Sequence, residues 1–250
     1  MDCDGPVATV TLCRPHVLNA QTPAMWGELR RIGRELPGDI RVVVVRGEGR
    51  AFSAGLDLTA VSAGGDDPSS FSFAAVATAD ESAATGRIAE FQEAFSWLRR
   101  PDVISIAAVR GHAIGAGFQL ALACDLRVLT EDAQLTMAEV ALGLVPDLGG
   151  TKRLVELVGY GRALDICVTG RRVGAPEADR IGLATSVVAA DELDATVTAL
   201  TAQVLAAKRD AVVEIKALLA AAAGRTFAEQ EAAEREAQVR RIRDVVGEGD

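Results

Sequence analysis

The sequence is that of an α/β protein, and three observations carry that expectation. Short apolar runs rich in β-branched residues, such as Val42–Val45 and Val103–Val109, are too short for helices and read as buried strands. Longer segments with helical spacing separate them, so strands and helices alternate in a repeated β-β-α style. From Asp191 onward only helical periodicity remains. The chain therefore divides into a core over residues 1–190 and a helical tail over residues 191–250.

The elements follow in order. Val7–Leu12 alternates and forms a first strand, closed by the turn at Arg14-Pro15. Thr22-Pro23 opens a helix, with threonine as N-cap and proline at its first position, and Pro37-Gly38 stops it after Leu36. Asp39–Arg46 is a buried strand. Thr59 to Ala79 is small, polar and aperiodic and reads as a mobile loop, either a lid or a passive linker. A helix over Asp80–Leu98 leads into the strand Val103–Val109, a glycine loop and a helix start near Ala116. Ala133–Met137 is a short strand. Thr151–Val158, Gly161–Val168 and Glu177–Gly182 are helical, and Ala184–Val188 is a strand. The tail carries helices over Asp191–Ala207, Asp210–Ala222 and Phe227–Val245, which need a surface to pack on, either the core or a second subunit.

Composition narrows the function. With 49% hydrophobic residues in 250, the chain can bury a sizeable core. A net charge of −9 argues against broad nucleic-acid binding. No apolar run has the length of a bilayer span, and the N-terminus lacks a basic region followed by an apolar stretch, so no membrane association or secretion is expected and the cytoplasm is the expected compartment. The four cysteines, Cys3, Cys13, Cys124 and Cys167, are widely spaced without metal-type pairing, and no metal site is expected. Neither histidine, His16 or His112, has a G-x-S-x-G serine to serve.

Two glycine-rich stretches bear the chemistry. The loop with Gly111, Gly115 and Gly117 runs from a strand into a helix start, which leaves backbone N–H groups unpaired and aimed outward. A phosphate cradle or a plain tight turn has the same outline. Gly47–Leu58 likewise follows a strand, and two such loops can supply two donors to one oxygen, as the enolate of a thioester requires.

Together these stretches resemble the enoyl-CoA hydratase/isomerase (crotonase) superfamily. The family's F-S-A-G-x-D-L loop stands here as Phe52-Ser53-Ala54-Gly55-Leu56-Asp57-Leu58, and its G-x-A-x-G-x-G-x-x-L-A-L-x-C-D segment as Gly111 to Asp125. The entry pattern R-P-x-x-x-N-A is Arg14 to Ala20, P-x-x-G-G-T-x-R-L is Pro146 to Leu154, and a final motif spans roughly Thr169 to Ala178. The resemblance implies a spiral core of β-β-α repeats, an acyl-CoA thioester as substrate with coenzyme A part of that substrate and no further cofactor, and a homotrimer or dimer of trimers built through the tail. It maps the oxyanion donors to the backbone N–H groups of Ala54 and Ala116, and substrate binding to Ser53, Gly55, Leu56, Asp57, Leu58, Gly115 and Gly117. Asp57 also reads as a buttress of its own loop.

The same resemblance places the family's two carboxylates at Gln119 and Glu139, and a working aspartate of some isomerases at Asp147. Asp147 has a second reading, as the cap of the helix that follows it. The departure at Gln119 matters. Hydration of a 2-enoyl thioester needs one group to deprotonate water and another to protonate the α carbon, and an amide cannot take a proton in the useful range. Moving a double bond needs less, since one carboxylate can remove a proton and return it elsewhere. Isomerisation is therefore expected to be easier than hydration. A slow hydratase and a non-catalytic acyl-CoA-binding protein are the alternatives.

Overall fold

A computed structural model describes residues 1–59 and 72–247 of the chain. Its elements run β1 (Asp2–Asp4), β2 (Val7–Leu12), α1 (Pro23–Glu35), β3 (Val42–Gly47), α2 (Phe73–Thr78), α3 (Glu81–Ser96), β4 (Ile104–Val109), β5 (His112–Ile114), α4 (Ala116–Ala123), β6 (Leu126–Thr130), β7 (Gln134–Thr136), α5 (Gly150–Val158), α6 (Tyr160–Thr169), β8 (Arg172–Gly174), α7 (Ala175–Arg180), β9 (Ser186–Val188), α8 (Leu193–Ala206), α9 (Arg209–Ala222) and α10 (Phe227–Gly247). The α/β class is that expected from the sequence.

Six strands form one sheet in the order β1-β2-β3-β4-β6-β9, and β5-β7-β8 form a second. In the large sheet β2 to β9 are all parallel and β1 alone is antiparallel. Parallel strands buried on both faces read as continuous apolar runs, and Val42–Val45 is one. Val43 and Val45 pack in the main core with Ala107, Val109 and Leu129 of the neighbouring strands. Val42 and Val44 point the other way, into a smaller cluster with Ile106, Ala108 and Val128. Leu193 and Val197 of α8 complete that second cluster. The first tail helix thus covers the back of the sheet.

Helix α1 begins as its residues dictate: the Thr22 side chain accepts the Met25 N–H, and proline stands in the first turn. Asp80 caps α3 in the same way through the Ala83 N–H. Trp26 on α1 packs against Phe91 and Phe95 on α3, with ring centroids 4.8 and 6.1 Å apart.

Four strands lie where no strand was expected. β1, β5 and β8 have three residues each, too few to show a period. β6 was hidden by Arg127, which is 3% exposed and whose guanidinium donates to Cys124 O and Leu183 O, both at 2.7 Å. The expected loop from Thr59 to Ala79 is corrected at its end, where Ser72 caps α2 by accepting the Ala75 N–H. The rest of that loop, residues 60–71, lies outside the described residues.

Helix α9 reaches the core through two side chains: Arg209 in its first turn donates to Gly38 O at 2.5 Å, and Lys216 makes the buried attachment. Lys216 is 9% exposed and donates to Val103 O at 2.7 Å and to Asp125 Oδ2 at 2.7 Å. Asp125 Oδ2 also accepts the Ser105 N–H and hydroxyl at 2.8 and 2.9 Å. Removing one partner of a buried pair leaves the other charge uncompensated. Lys216→Ala is expected to cost about 3 kcal/mol in urea unfolding, the low end for such a break because Asp125 keeps its Ser105 donors; an unchanged midpoint would show that α9 is held by other contacts.

Candidate active site

The segment after β3 and the junction of β5 with α4 bring the two glycine stretches to one place. The loop after β3 is rigidly held from behind. Asn19 is fully buried; its Oδ1 accepts the Arg14 N–H at 2.9 Å and its Nδ2 donates to Glu48 O and Ala51 O, both at 2.9 Å. The Ser53 hydroxyl donates to Asn19 O at 2.9 Å and accepts from Gln21 Nε2 and the Gly55 N–H. Gln21 in turn accepts Trp26 Nε1–H at 2.7 Å. Asp57 accepts from Arg14 at 2.8 Å and from the Thr59 N–H and hydroxyl, which is the buttress role.

This network takes up one of the two N–H groups expected to be free. The Ala54 N–H is engaged with Leu18 O at 2.8 Å and cannot also face a ligand. The residue two further on is different. Leu56 bridges Gln21, so that the Gln21 N–H donates to Gly55 O and the Asp57 N–H to Gln21 O, which leaves the Leu56 N–H with no acceptor among the described residues. The Ala116 N–H, first in α4, likewise has none. Gly55 makes their meeting possible: its φ is +88°, and a β-carbon there would lie 2.5 Å from Ile114 O and 3.6 Å from the Ala116 nitrogen. Leu56 and Ala116 are therefore the two N–H groups that this geometry leaves free at one place among the described residues.

Both line a cavity of about 540 Å³ together with Gly55, Gly115, Glu139 and Asp147. Gln119 lines it as well, and the rest of its wall is largely apolar, with Trp26, Val76, Ile88 and Phe91 from the α1–α3 side and Leu142 and Leu144 from the segment after Glu139. Few polar groups converging in an apolar cleft is what a small-molecule site needs. Ala54 and Leu58 also line it, whereas Ser53, Asp57 and Gly117, expected to bind substrate, stand behind the wall. Ser53 and Asp57 are consumed by the loop network, and Gly117 is a packing position, where a β-carbon would come within 2.6 Å of Ser53 O. His112 sits in β5 and is not part of the lining. A larger cavity of about 630 Å³ beneath α9 is lined by Ile104, Leu126, Ile215 and the Lys216–Asp125 pair, and it contains none of these donors.

Gln119, Glu139 and Asp147 come together as the resemblance implied. Gln119 is 1% exposed. Its Oε1 accepts the Leu148 and Gly150 N–H groups at 2.9 and 3.3 Å, and its Nε2 donates to Glu139 Oε1 at 2.7 Å. Glu139 Oε2 is buried without a partner among the described residues. Burial pushes the Glu139 carboxyl above the ordinary carboxylate range, and the nearby Asp147 adds to this, while hydrogen bonds from its own backbone and from Gln119 work against it. Burial also raises the Asp147 carboxyl. The helix-cap reading of Asp147 fails: α5 takes Gly149 as N-cap with no side-chain bond, and the first helical N–H goes to Gln119.

An enoyl-CoA hydratase/isomerase family model matches residues 2–245. The chain belongs to the enoyl-CoA hydratase/isomerase family. It is similar to a probable enoyl-CoA hydratase of Mycobacterium tuberculosis, 36% identical over 79% of this chain and 72% of that protein. A carnitinyl-CoA dehydratase of Salmonella enteritidis is 38% identical over 76% of this chain and 67% of its own length. Among solved structures, a Thermobifida fusca YX protein assigned as an enoyl-CoA hydratase superposes with a TM-score of 0.93 at 52% identity, covering 97% of this chain and 94% of that one, in complex with acetoacetyl-CoA. The chain is thus an enzyme of the enoyl-CoA hydratase/isomerase family with the family's spiral core. Relative to the sequence expectation, the site differs in which N–H of the Gly47–Leu58 loop is free. Leu56 was expected to touch substrate but not to carry the free N–H; the signal that singles it out is the bridge to Gln21, which takes up the Gly55 carbonyl and the Asp57 N–H on either side.

Ala116→Pro tests the donor assignment cleanly. The first position of a helix tolerates proline, so the fold should survive while one oxyanion donor disappears. Turnover of an accepted thioester should fall by about 10²-fold or more with an unchanged melting temperature; full activity would remove Ala116 from the donor pair.

Proposed function

We propose that the enzyme transfers protons on an enoyl-CoA thioester, moving a double bond more readily than it adds water. The observation that carries this is the commitment of the Gln119 amide: its oxygen is taken by two backbone N–H groups and its NH2 by Glu139, so it offers no lone pair to deprotonate a water. The acyl-CoA substrate class is supported by the family and by the acetoacetyl-CoA complex of the Thermobifida relative.

In this reading the thioester oxygen lies between the Leu56 and Ala116 N–H groups. One of the two raised carboxyls, Glu139 or Asp147, removes a proton from the α or γ carbon. The electron pair moves to the thioester oxygen as a dienolate, which the two donors stabilise. The proton then returns to the other carbon, from the same carboxyl or its partner, and no atom is gained or lost. A carboxyl held above its usual range by burial is better matched to such transfer near neutral pH.

Two measurements test the reading. Solvent deuterium is expected to enter the α or γ position of a 3-enoyl- or 2-enoyl-CoA, and Glu139→Gln or Asp147→Asn should each lower that exchange by about 10²-fold. Rapid hydration of crotonyl-CoA, with exchange indifferent to both changes, contradicts it, and tight binding without turnover on any thioester identifies a non-catalytic binder. Because the base must be ionised, kcat/KM should fall on acidification at a pH above the ordinary glutamate value of about 4.3.

The tail supports self-association into a trimer or a dimer of trimers. Ile215 and Leu219 on α9 and Phe227, Val245 and Val246 on α10 are 55–82% exposed. Light scattering is expected to return a multiple of the chain mass at micromolar concentration, and a monomer there refutes the assignment.

A further inference from the structure

Gln119 holds the place of a family carboxylate, yet its surroundings are built for an amide. Backbone N–H groups only donate, so the two from Leu148 and Gly150 force the carbonyl oxygen of Gln119 toward the 147–150 loop. The amide therefore cannot flip, and its NH2 end must face Glu139, where Nε2 lies 2.7 Å from Oε1. The fit is close: a β-carbon at Gly150 would come within 2.7 Å of Gln119 Cγ. The two N–H groups it holds follow Asp147 in sequence, one residue and three residues on. A second fastening comes from α3, where Gln92 donates to Asp147 O at 2.6 Å.

A donor fixed at Oε1 decides where Glu139 carries its proton. Oε1 is already an acceptor of an N–H, so a proton taken up by the carboxylate goes to Oε2, the oxygen with no partner among the described residues. We infer that Gln119 is a positioning residue: its single immobile amide confines proton uptake by Glu139 to Oε2 and sets the Asp147 loop in register with it. This rests on the reading that Glu139 moves the proton. A glutamate in place of Gln119 would keep an oxygen for the two loop N–H groups but set a second carboxylate oxygen against Oε1 where the donor now stands.

The test reads Glu139 directly, without turnover. In protein labelled with 13C at the glutamate carboxyls, Glu139, assigned through Glu139→Gln, is titrated by NMR in the wild type, Gln119→Leu and Gln119→Glu. Gln119→Leu removes a donor to the ionised form, so the Glu139 midpoint moves up. Gln119→Glu sets like charges together, so Glu139 and the introduced carboxylate titrate as a coupled pair whose upper step lies about one pH unit or more above the wild type. The swap Gln119→Glu/Glu139→Gln restores a donor–acceptor pair and brings the single remaining titration back down. In steady-state assays on the thioester the wild type accepts, Gln119→Glu lowers kcat about tenfold or more with KM within about twofold, because a misplaced proton carrier costs rate rather than binding. If the leucine variant fails to fold, the glutamate variant and the swap, which keep the loop N–H groups satisfied, decide alone. An unmoved Glu139 midpoint overturns the inference. Midpoints that move as stated while Glu139→Gln keeps full isotope exchange leave the clamp standing and reject Glu139 as the proton carrier.

Discussion

The site depends on two backbone N–H groups being left without partners at the same point. An unpaired buried N–H is costly, and a chain leaves one only where the surroundings allow it no alternative. Around Leu56 every neighbouring group is taken: Ala54 by Leu18, Gly55 by Ser53, Asp57 by Gln21. The price is visible in the backbone, where Leu18 and Asn19 both adopt positive φ, 53° and 55°, in a region that side-chain-bearing residues rarely occupy. Asn19 offsets that strain with three side-chain hydrogen bonds to the loops on either side.

Much of this was legible in the sequence, and the reasons for the remainder are specific. The strands at Val7, Val42 and Ile104 and the threonine–proline start of α1 are local signals, written in period, β-branching and capping. The meeting of Gln119, Glu139 and Asp147 was not local. It came from motif resemblance, and the structure shows three segments converging through one amide. The identity of the first oxyanion donor could not be read from the motif, since Ala54 and Leu56 sit in the same small-residue loop. Which N–H is spare depends on partners at Leu18 and Gln21, more than thirty residues earlier. The strand β6 was missed because a buried arginine looks like a surface residue until its carbonyl partners are known.

The tail is tied to the core more firmly than a helical appendage would be. Leu193 and Val197 finish the second face of the sheet, so without α8 the side chains of Val42, Val44 and Ile106 would meet water. Arg41 reaches the end of the same helix, donating to Leu205 O at 3.0 Å and Ala207 O at 2.7 Å. Beyond that point the attachment thins to Arg209 on Gly38 O, Lys216 and the α9–α10 contact, and large apolar side chains become exposed. One half of the tail is thus structural for the single chain, and the other presents an exposed apolar surface.

A single turn of helix sets the geometry of the site. Ala116, whose N–H is free among the described residues, and Gln119, which is hydrogen-bonded to Glu139 and the Asp147 loop, are three residues apart on α4 and separated by a rise of about 4.5 Å. The helix is buried along its whole length, so neither position can drift. The free N–H groups and the carboxyls are then referred to one rigid body, while the apolar wall comes from α1, α2, α3 and the turn after Glu139. Substitutions in that wall can change which acyl group fits without moving the donors or the carboxyls. Such a division separates the groups that can do chemistry from the groups that select a ligand, and in this chain the Gln119 amide is the side chain that joins Glu139 to the Asp147 loop.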